Sequence, residues 1–482
     1  MRNESFDGER EVSSLGWEEK DWIDQELEGA YFQDVRLGKR LRALLGLMSN
    51  GLGQTIPLAC QDWANTKAAY RFFSNDRITE EEILSGHFSS TGRRAASLEE
   101  PLLVLHDTCE FSYHTENEAI GLLKCLPFPS KRHHRFRGFL MHSSLVVTTD
   151  GLPLGLASIK FWTRQSFKGC SALKRHVNPT RIPIRQKESF RWLQNLRQST
   201  ALLNRPADCV HIGDRESDIY ELFAIAHELG TKFLVRTCVD RLAEDGEQTV
   251  AELMQSAITK GFHEIEVQDQ DGKRERVSLK IKYESLRVRP PLGKKDSYPE
   301  LVLTVIHATE LSKPRRRKRI EWKLITNLPV NSLEDALQKI RWYALRWKIE
   351  TFHKILKSGC RAEESKLRAT ERLTKLVAVF CILSWRVFWM TMVRRVDPAQ
   401  PADTAFTPLE IQLLEKLAGP DDSKLSGAPR TLEQCLSKVA RLGGYLARAS
   451  DPPPGNMIMW RGLSRLTDIH LGYLLAKGDV GN

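Results

Sequence analysis

Between Leu102 and Val235 the chain presents three strand-like apolar segments in succession and then a helix, a strand, a helix and a strand, and that order restricts the fold more than any other feature. The first three are Leu102 to Leu105, Phe139 to Thr148 and Pro153 to Phe161; the rest are Glu188 to Leu203, Cys209 to Ile212, Ser217 to Leu229 and Lys232 to Val235. Helix and strand are told apart by the period of their apolar residues. Asp150-Gly151 reads as the hairpin turn joining the second and third strands.

Three antiparallel strands running into alternating helices and strands describe an α/β fold with a mixed, ribonuclease-H-like sheet. Residues 237–330 are β-rich instead, as in Val277-Ser278-Leu279-Lys280-Ile281 and Leu301-Val302-Leu303-Thr304-Val305, and read as a β insertion. Helix resumes with Asn331 or Ser332 as cap and runs to about Arg395. Ahead of the sheet, residues 15–85 read as helical, with Leu41, Leu44, Leu45 and Met48 on one side and Arg36, Lys39, Arg40 and Arg42 on the other. Asp397 to Pro408 carries three prolines and reads as a linker. The expected units are a helical N-terminal domain over 1–85, a sheet domain over 86–396 and a helical C-terminal domain over 397–482.

Lys and Arg outnumber Asp and Glu by 72 to 61, a formal charge of +11, which favours a polyanionic partner with nucleic acid first. A soluble basic protein without such a partner remains a reading of the charge alone. The nine cysteines include no Cys-x-x-Cys pair, which argues against a zinc ribbon and a disulfide framework and fits reduced cytosolic thiols. An N-terminus rich in Glu and Asp lacks the basic start and apolar core of an export signal. The most apolar window, Leu376 to Val393, is broken by Arg386 and reads as a buried helix, so no membrane partner is expected.

Asp107 follows the apolar run Leu-Leu-Val-Leu-His, and Asp214 follows Cys-Val-His-Ile-Gly, so both acids are expected where strands emerge from a core, an edge that ligand-binding groups favour. Taken singly, each also fits a turn-initiating or helix-capping Asp. The third element is a helix bearing Tyr343, Arg346, Glu350, Lys354 and Lys357, which at about 100° per residue share one narrow polar face. Trp342, Leu345, Ile349, Phe352 and Leu356 fall on another. A solvated charge stripe fits the same periodicity, but it accounts less well for one acid among four cationic or phenolic groups suited to phosphate. Three carboxylates from separate elements are what two-metal phosphoryl transfer requires, because hard Mg²⁺ takes oxygen ligands.

Tyr343-x-x-Arg346-x-x-x-Glu350 with Lys357 resembles the Tyr-Arg-Glu-Lys signature of the insertion-sequence IS-four transposases. The resemblance extends to Ala69-Tyr70-Arg71-Phe72, Asp107-Thr108, Asp214-Arg215-Glu216-x-Asp218-Ile219, Phe233-Leu234-Val235-Arg236, Glu321-Trp322-Lys323-Leu324-Ile325-Thr326 and Ala440-Arg441-Leu442-Gly443-Gly444-Tyr445. It implies that Asp107, Asp214 and Glu350 form a DDE triad holding two Mg²⁺, with Mn²⁺ able to substitute. It implies cut-and-paste transposition on double-stranded DNA, both inverted-repeat ends and target, by a homodimer in the bacterial cytoplasm at the nucleoid. Trp322 would stack on a base flipped out of the transposon end, an ordinary core tryptophan being the alternative. Arg236, Tyr343, Arg346 and Lys357 would grip the adjacent strand; Lys354, on the same polar helix face, and Arg215, beside Asp214, are further DNA-binding candidates. The resemblance assigns end recognition to residues 1–85 through Arg36, Lys39, Arg40 and Arg42, and subunit pairing to the C-terminal domain. The basic clusters Lys131 to Arg137 and Lys313 to Arg319 are read either as tracking the DNA backbone or as solvated charge.

Overall fold

The computed structural model describes residues 22–127, 133–164, 182–268, 274–314, 317–396, 399–417, 431–448 and 451–477. Among the described residues five helices precede the sheet: α1 (Trp22–Leu27), α2 (Val35–Asn50), α3 (Ile56–Cys60), α4 (Trp63–Phe73) and α5 (Glu80–Ala96). The expected boundary at residue 85 falls inside α5, because Thr79 and Glu82 form a reciprocal capping box that starts this helix at residue 80.

The sheet begins with β1 (Leu102–Tyr113), β2 (Leu122–Pro127), β3 (His133–Val147) and β4 (Pro153–Trp162). β3 pairs antiparallel with β1 along one side and with β2 and then β4 along the other. The Asp150-Gly151 turn lies between β3 and β4: Gly151 takes φ 84°, open to a residue without Cβ, and its N–H donates to Thr148 O at 2.9 Å. On the free side of β1, β5 (Cys209–Gly213) and β6 (Lys232–Arg236) add in parallel. The intervening crossovers carry α6 (Phe190–Leu203) and α7 (Tyr220–Glu228).

Beyond β6 come the short β7 (Leu242–Ala243) and β8 (Gln248–Thr249), α8 (Val250–Ser256), and the longer β9 (Gly261–Gln268), β10 (Arg274–Val288), β11 (Leu301–Glu310) and β12 (Glu321–Thr326). β12 pairs antiparallel with β6, so these strands extend the same sheet, covering an edge that would otherwise expose unpaired backbone. Arg317 here is turned inward rather than solvated. It forms a buried ion pair at 2.7 Å with Glu310, which is fully buried, and reaches Glu275. Arg137, itself largely covered, donates to Ile120 O and to the exposed Glu118. Lys131, Arg132, Arg315 and Arg316 lie outside the described residues.

Ser332 caps α9 (Leu333–Ala344), followed by α10 (Trp347–Lys354), a π turn at Ile355–Gly359 and the long α11 (Thr370–Val396). By length and composition α11 would suit a membrane, but 89% of its apolar window is buried inside the protein, which makes it a core helix. Helices α12 (Pro408–Lys416), α13 (Leu432–Leu442) and α14 (Asn456–Lys477) complete the described chain.

The alternation of β1 sorts its residues between two cores. Leu103 and Leu105, with Ile212 of β5, face a cluster that also takes in Leu41 and Phe72 of the N-terminal helices, Val379 of α11 and Leu436 of α13. Val104 and Cys209 face the other way, toward α5 and α6. A buried charged cluster binds α1 to α5: Glu26 accepts from Arg94 and lies against His87, whose Nε2 accepts from Leu156 N–H. Burial pushes the Glu26 carboxyl up, but Arg94 and His87 outweigh it and hold it at about 2.

Candidate active site

Asp107 does not end its strand. β1 continues to Tyr113 because its pairing with β3 runs on to Tyr113↔Arg137; what ends beside Asp107 is β5, whose ladder with β1 stops at Leu105↔Ile212. Two residues further on, in the same register, lie Asp107 on β1 and Asp214 just past β5. Being in step on neighbouring parallel strands, they point to the same face as Leu105 and Ile212. Each leans on a main-chain amide: Thr108 N–H donates to Asp107 Oδ1 at 2.9 Å, and Glu216 N–H to Asp214 Oδ1 at 2.9 Å. The second contact makes Asp214 the cap of a 3-10 turn at Arg215–Ser217, so the capping role and an active-site position coexist in one residue.

Glu350 arrives from α10, which crosses this face of the sheet. The expected single regular helix is instead irregular twice. Between α9 and α10 the hydrogen bonds tighten to i→i−3, as in Arg346 N to Tyr343 O at 3.0 Å and Ile349 N to Arg346 O at 3.2 Å, and after Lys354 the chain widens into the π turn. A constant 100° per residue therefore does not carry Tyr343 and Lys357 onto one open face with Glu350. Tyr343 is buried, its ring 6.0 Å from that of Trp322 in an edge-on arrangement. Lys357 pairs with Glu363 at 3.3 Å and lies 5.7 Å from the Phe111 ring. Lys354 and Arg215 are exposed.

The three carboxylates share one electrostatic neighbourhood. Burial pushes Asp107 up to about 6; the Thr108 amide and Arg346 pull it down, and the charges of Asp214 and Glu350 push it further up. Arg346 Nη2 donates to Glu350 Oε1 at 2.5 Å, one turn apart on the helix. His353, from the same helix, donates or accepts at Ser143 Oγ at 2.9 Å and lies 3.8 Å from Asp107 Oδ2; burial drives its ring down to about 3, so it is neutral there. Among the described residues no three acidic, histidine or cysteine side chains are drawn together tightly enough to chelate one ion. The donor chemistry nonetheless fits a hard divalent cation: hard oxygens, a desolvated Asp107 and mutual repulsion that a cation would relieve. The obstacle is the Arg346 guanidinium on Glu350, an ion pair that an incoming phosphate would compete for.

Arg236 donates to Glu321 O at 3.0 Å at the junction of β6 and β12, and with Arg346 it lowers the Tyr343 hydroxyl that burial raises. Trp322 is half-buried on β12, opposite Ala308. Trp347, at the start of α10, is not singled out by sequence pattern; it is 65% exposed beside Arg346. Its one signal is an apolar ring in a stretch of alternating charge.

At the N-terminus the four basic residues of α2 are not equivalent. Arg36 is tied to Asp34 at 3.0 Å and Arg42 to Asp24 at 2.5 Å, while Lys39 and Arg40 are exposed without an ion pair among the described residues. A face missed by charge counting lies on α4, where Trp63, Lys67, Tyr70 and Arg71, with Thr66 and Ser74, line a groove of about 440 Å³. Trp63 is 77% exposed there, an aromatic among cations that suits nucleic acid.

Two stretches of this chain match known families. Residues 19–78, which include α2 and α4, match the family described as transposase DNA-binding. Residues 190–385 match the family described as transposase DDE domain. The second match takes in Asp214, Arg236, Trp322, Tyr343, Arg346, Glu350 and Lys357, and Asp107 precedes it.

Proposed function

This chain is a DDE transposase, a metal-dependent enzyme that cleaves DNA and transfers strands, and we propose that it works by cut-and-paste with Asp107, Asp214 and Glu350 as its catalytic carboxylates. The observation that carries the triad is the mutual charge of these three groups, which arrive at one sheet face from β1, the end of β5 and α10. The fold is proposed to be of the ribonuclease-H-like type, with 237–330 as its β insertion. The Tyr343, Arg346, Glu350 and Lys357 spacing supports membership of the IS-four insertion-sequence family.

The three carboxylates would hold two Mg²⁺, or Mn²⁺ in their place, which when bound supply activation of the attacking hydroxyl and stabilisation of the leaving oxygen. Arg346, bonded to Glu350 and close enough to Asp107 for its charge to be felt there, would meet the scissile phosphate and in doing so release Glu350. Arg236, Tyr343, Lys354 and Lys357 would hold the strand beside it, with Trp322 receiving a base flipped from the transposon end. Water first opens the end; the freed 3'-hydroxyl attacks the opposite strand to form a hairpin, water reopens it, and the same hydroxyl then joins target DNA. Each step exchanges one oxygen on phosphorus for another, so a single site serves all of them.

Residues 1–85 would read the inverted repeats, with the α4 groove and with Lys39 and Arg40 as contacts, and 397–482 would pair two subunits on DNA. The protein would act in the bacterial cytoplasm at the nucleoid. Asp107→Ala, Asp214→Ala and Glu350→Ala, assayed separately on a labelled transposon end, should each abolish nicking while leaving end binding intact. Nicking at near the wild-type rate in any one removes that residue from the triad. A nuclease reading, with cleavage but no joining, is separated by supplying pre-cleaved ends and a target plasmid: joined products exclude it.

A further inference from the structure

The ladder that holds β1 to β5 stops at Leu105↔Ile212, short of both aspartates, so no sheet hydrogen bond fixes the distance between Asp107 and Asp214. Each carboxylate instead takes its orientation from an amide, that of Thr108 for Asp107 and that of Glu216 for Asp214. The side chains of these two amide donors share one partner. Arg191, in the first turn of α6, donates from Nε to Thr108 Oγ1 at 3.1 Å and from Nη2 to Glu216 Oε2 at 2.5 Å. Its residue exposure is 8%, and its guanidinium lies 5.2 Å from the Trp162 ring centroid and 5.8 Å from that of Trp192, which fixes the plane of the fork. Thr108 alternates with Asp107 along β1, so this contact is made on the sheet face opposite Glu350.

We propose that Arg191 is a positioning residue: by gripping Thr108 and Glu216 it sets the separation of the Asp107 and Asp214 carboxylates for a divalent cation before DNA arrives. The proposal rests on the reading of those two aspartates as metal ligands. A guanidinium serves because one rigid plane donates in two directions; an ammonium of equal charge is a point donor and cannot span both partners. Outer-shell contacts of this kind typically contribute a factor of about 10 to 100 in metal affinity.

The test is Mn²⁺ binding to the full-length, DNA-free protein, followed by the electron paramagnetic resonance of free Mn²⁺, with thermal melting by circular dichroism alongside. Arg191→Lys, Arg191→Met and Glu216→Ala should each weaken Mn²⁺ binding about 10- to 100-fold. Glu216→Gln, which keeps an acceptor oxygen, should stay close to wild type, and the double variant Arg191→Met with Glu216→Ala should be no worse than either single one. End-DNA binding should be unchanged, and nicking lost at low metal should return at saturating Mn²⁺. Thr108→Val, which removes one of the two Arg191 bonds together with the Thr108 Oγ1 contact to His142 Nδ1 and keeps every charge, should show a smaller loss and serves if Arg191→Met does not fold. Wild-type Mn²⁺ affinity in folded Arg191→Lys and Thr108→Val overturns the proposal, as does a loss that merely tracks the folded fraction. Asp107→Ala and Asp214→Ala act as references: if they too retain Mn²⁺ affinity, the metal-ligand reading itself fails; if they lose it while the Arg191 variants keep it, only the positioning role fails.

Discussion

Replacing Asp107 by Asn should stabilise the metal-free protein, and the gain should depend on pH in a way that only a strained carboxylate produces. Burial holds the Asp107 carboxyl at about 6 against an ordinary 3.8, so the folded protein binds this proton more tightly than the unfolded chain. Stability from this group is therefore complete below the unfolded value and is lost as pH rises through the folded one. A carboxyl raised that far costs the ionised, metal-free state about 3 kcal/mol. Asn is uncharged and of the same shape, and its Oδ1 still accepts the Thr108 amide, so it should recover most of that cost without opening a cavity. The side chain is 19% exposed, which makes the figure a ceiling.

The assay is urea unfolding in EDTA, read by tryptophan fluorescence, at a series of pH values on both sides of 6. Wild type and Asp107→Asn should coincide at the acid end, and the variant should pull ahead as pH passes from about 4 to about 7. Mn²⁺ at about a hundredfold over its dissociation constant should then raise the wild type by about 2.7 kcal/mol and leave the variant where it was. A variant less stable than wild type at neutral pH, or a gap that does not change with pH, would refute the claim that Asp107 is held in an environment hostile to its own charge.

Trp322→Ala should slow hairpin formation by about 5- to 150-fold, the equivalent of 1 to 3 kcal/mol of lost stacking, while first-strand nicking continues; equal impairment of both steps would make it a packing residue against Tyr343. Lys39→Ala and Arg40→Ala should each flatten the slope of log end affinity against log salt by about 0.9. Arg42→Ala should flatten it less, since Asp24 already engages that side chain, and equal slopes for all three would contradict the distinction. Glu26→Ala should cost at most about 3 to 5 kcal/mol at neutral pH, by leaving the half-buried Arg94 and the buried His87 without their partner. Because the Glu26 carboxyl is held down to about 2, this contribution is present above its ordinary value of 4.5 and fades as pH falls from there toward 2, so the two unfolding curves should converge in acid.

How far the site could be read without coordinates depends on whether the cause of each feature is local. Asp214 sits at the end of an apolar run that stops where β5 stops, and Asp150-Gly151 turns where a short connection separates two strands; both follow from neighbours in sequence. Asp107 looks identical in sequence, yet its strand runs on to Tyr113, because the event beside it is the departure of β5, more than a hundred residues away in the chain. The spacing of Tyr343, Arg346, Glu350 and Lys357 is legible as a pattern, but its geometry is not. A 3-10 step and a π turn alter the angle per residue, and neither leaves a mark in apolar periodicity. The α2 cations read as one face from their spacing alone, whereas Asp24 and Asp34 engage two of the four. Arg191 is the extreme case: beside Trp192 and on a helix with a regular apolar stripe, it reads as a partly buried surface cation. What distinguishes it is the meeting of two partners 83 and 25 residues distant, and such a meeting exists only once the sheet has brought β1 and the end of β5 together. Residues that supply charge to a reaction can thus be found by type and spacing, while residues that hold those charges in place are defined by tertiary geometry, so substitutions at Arg191 are where sequence pattern and structure make the most different forecasts.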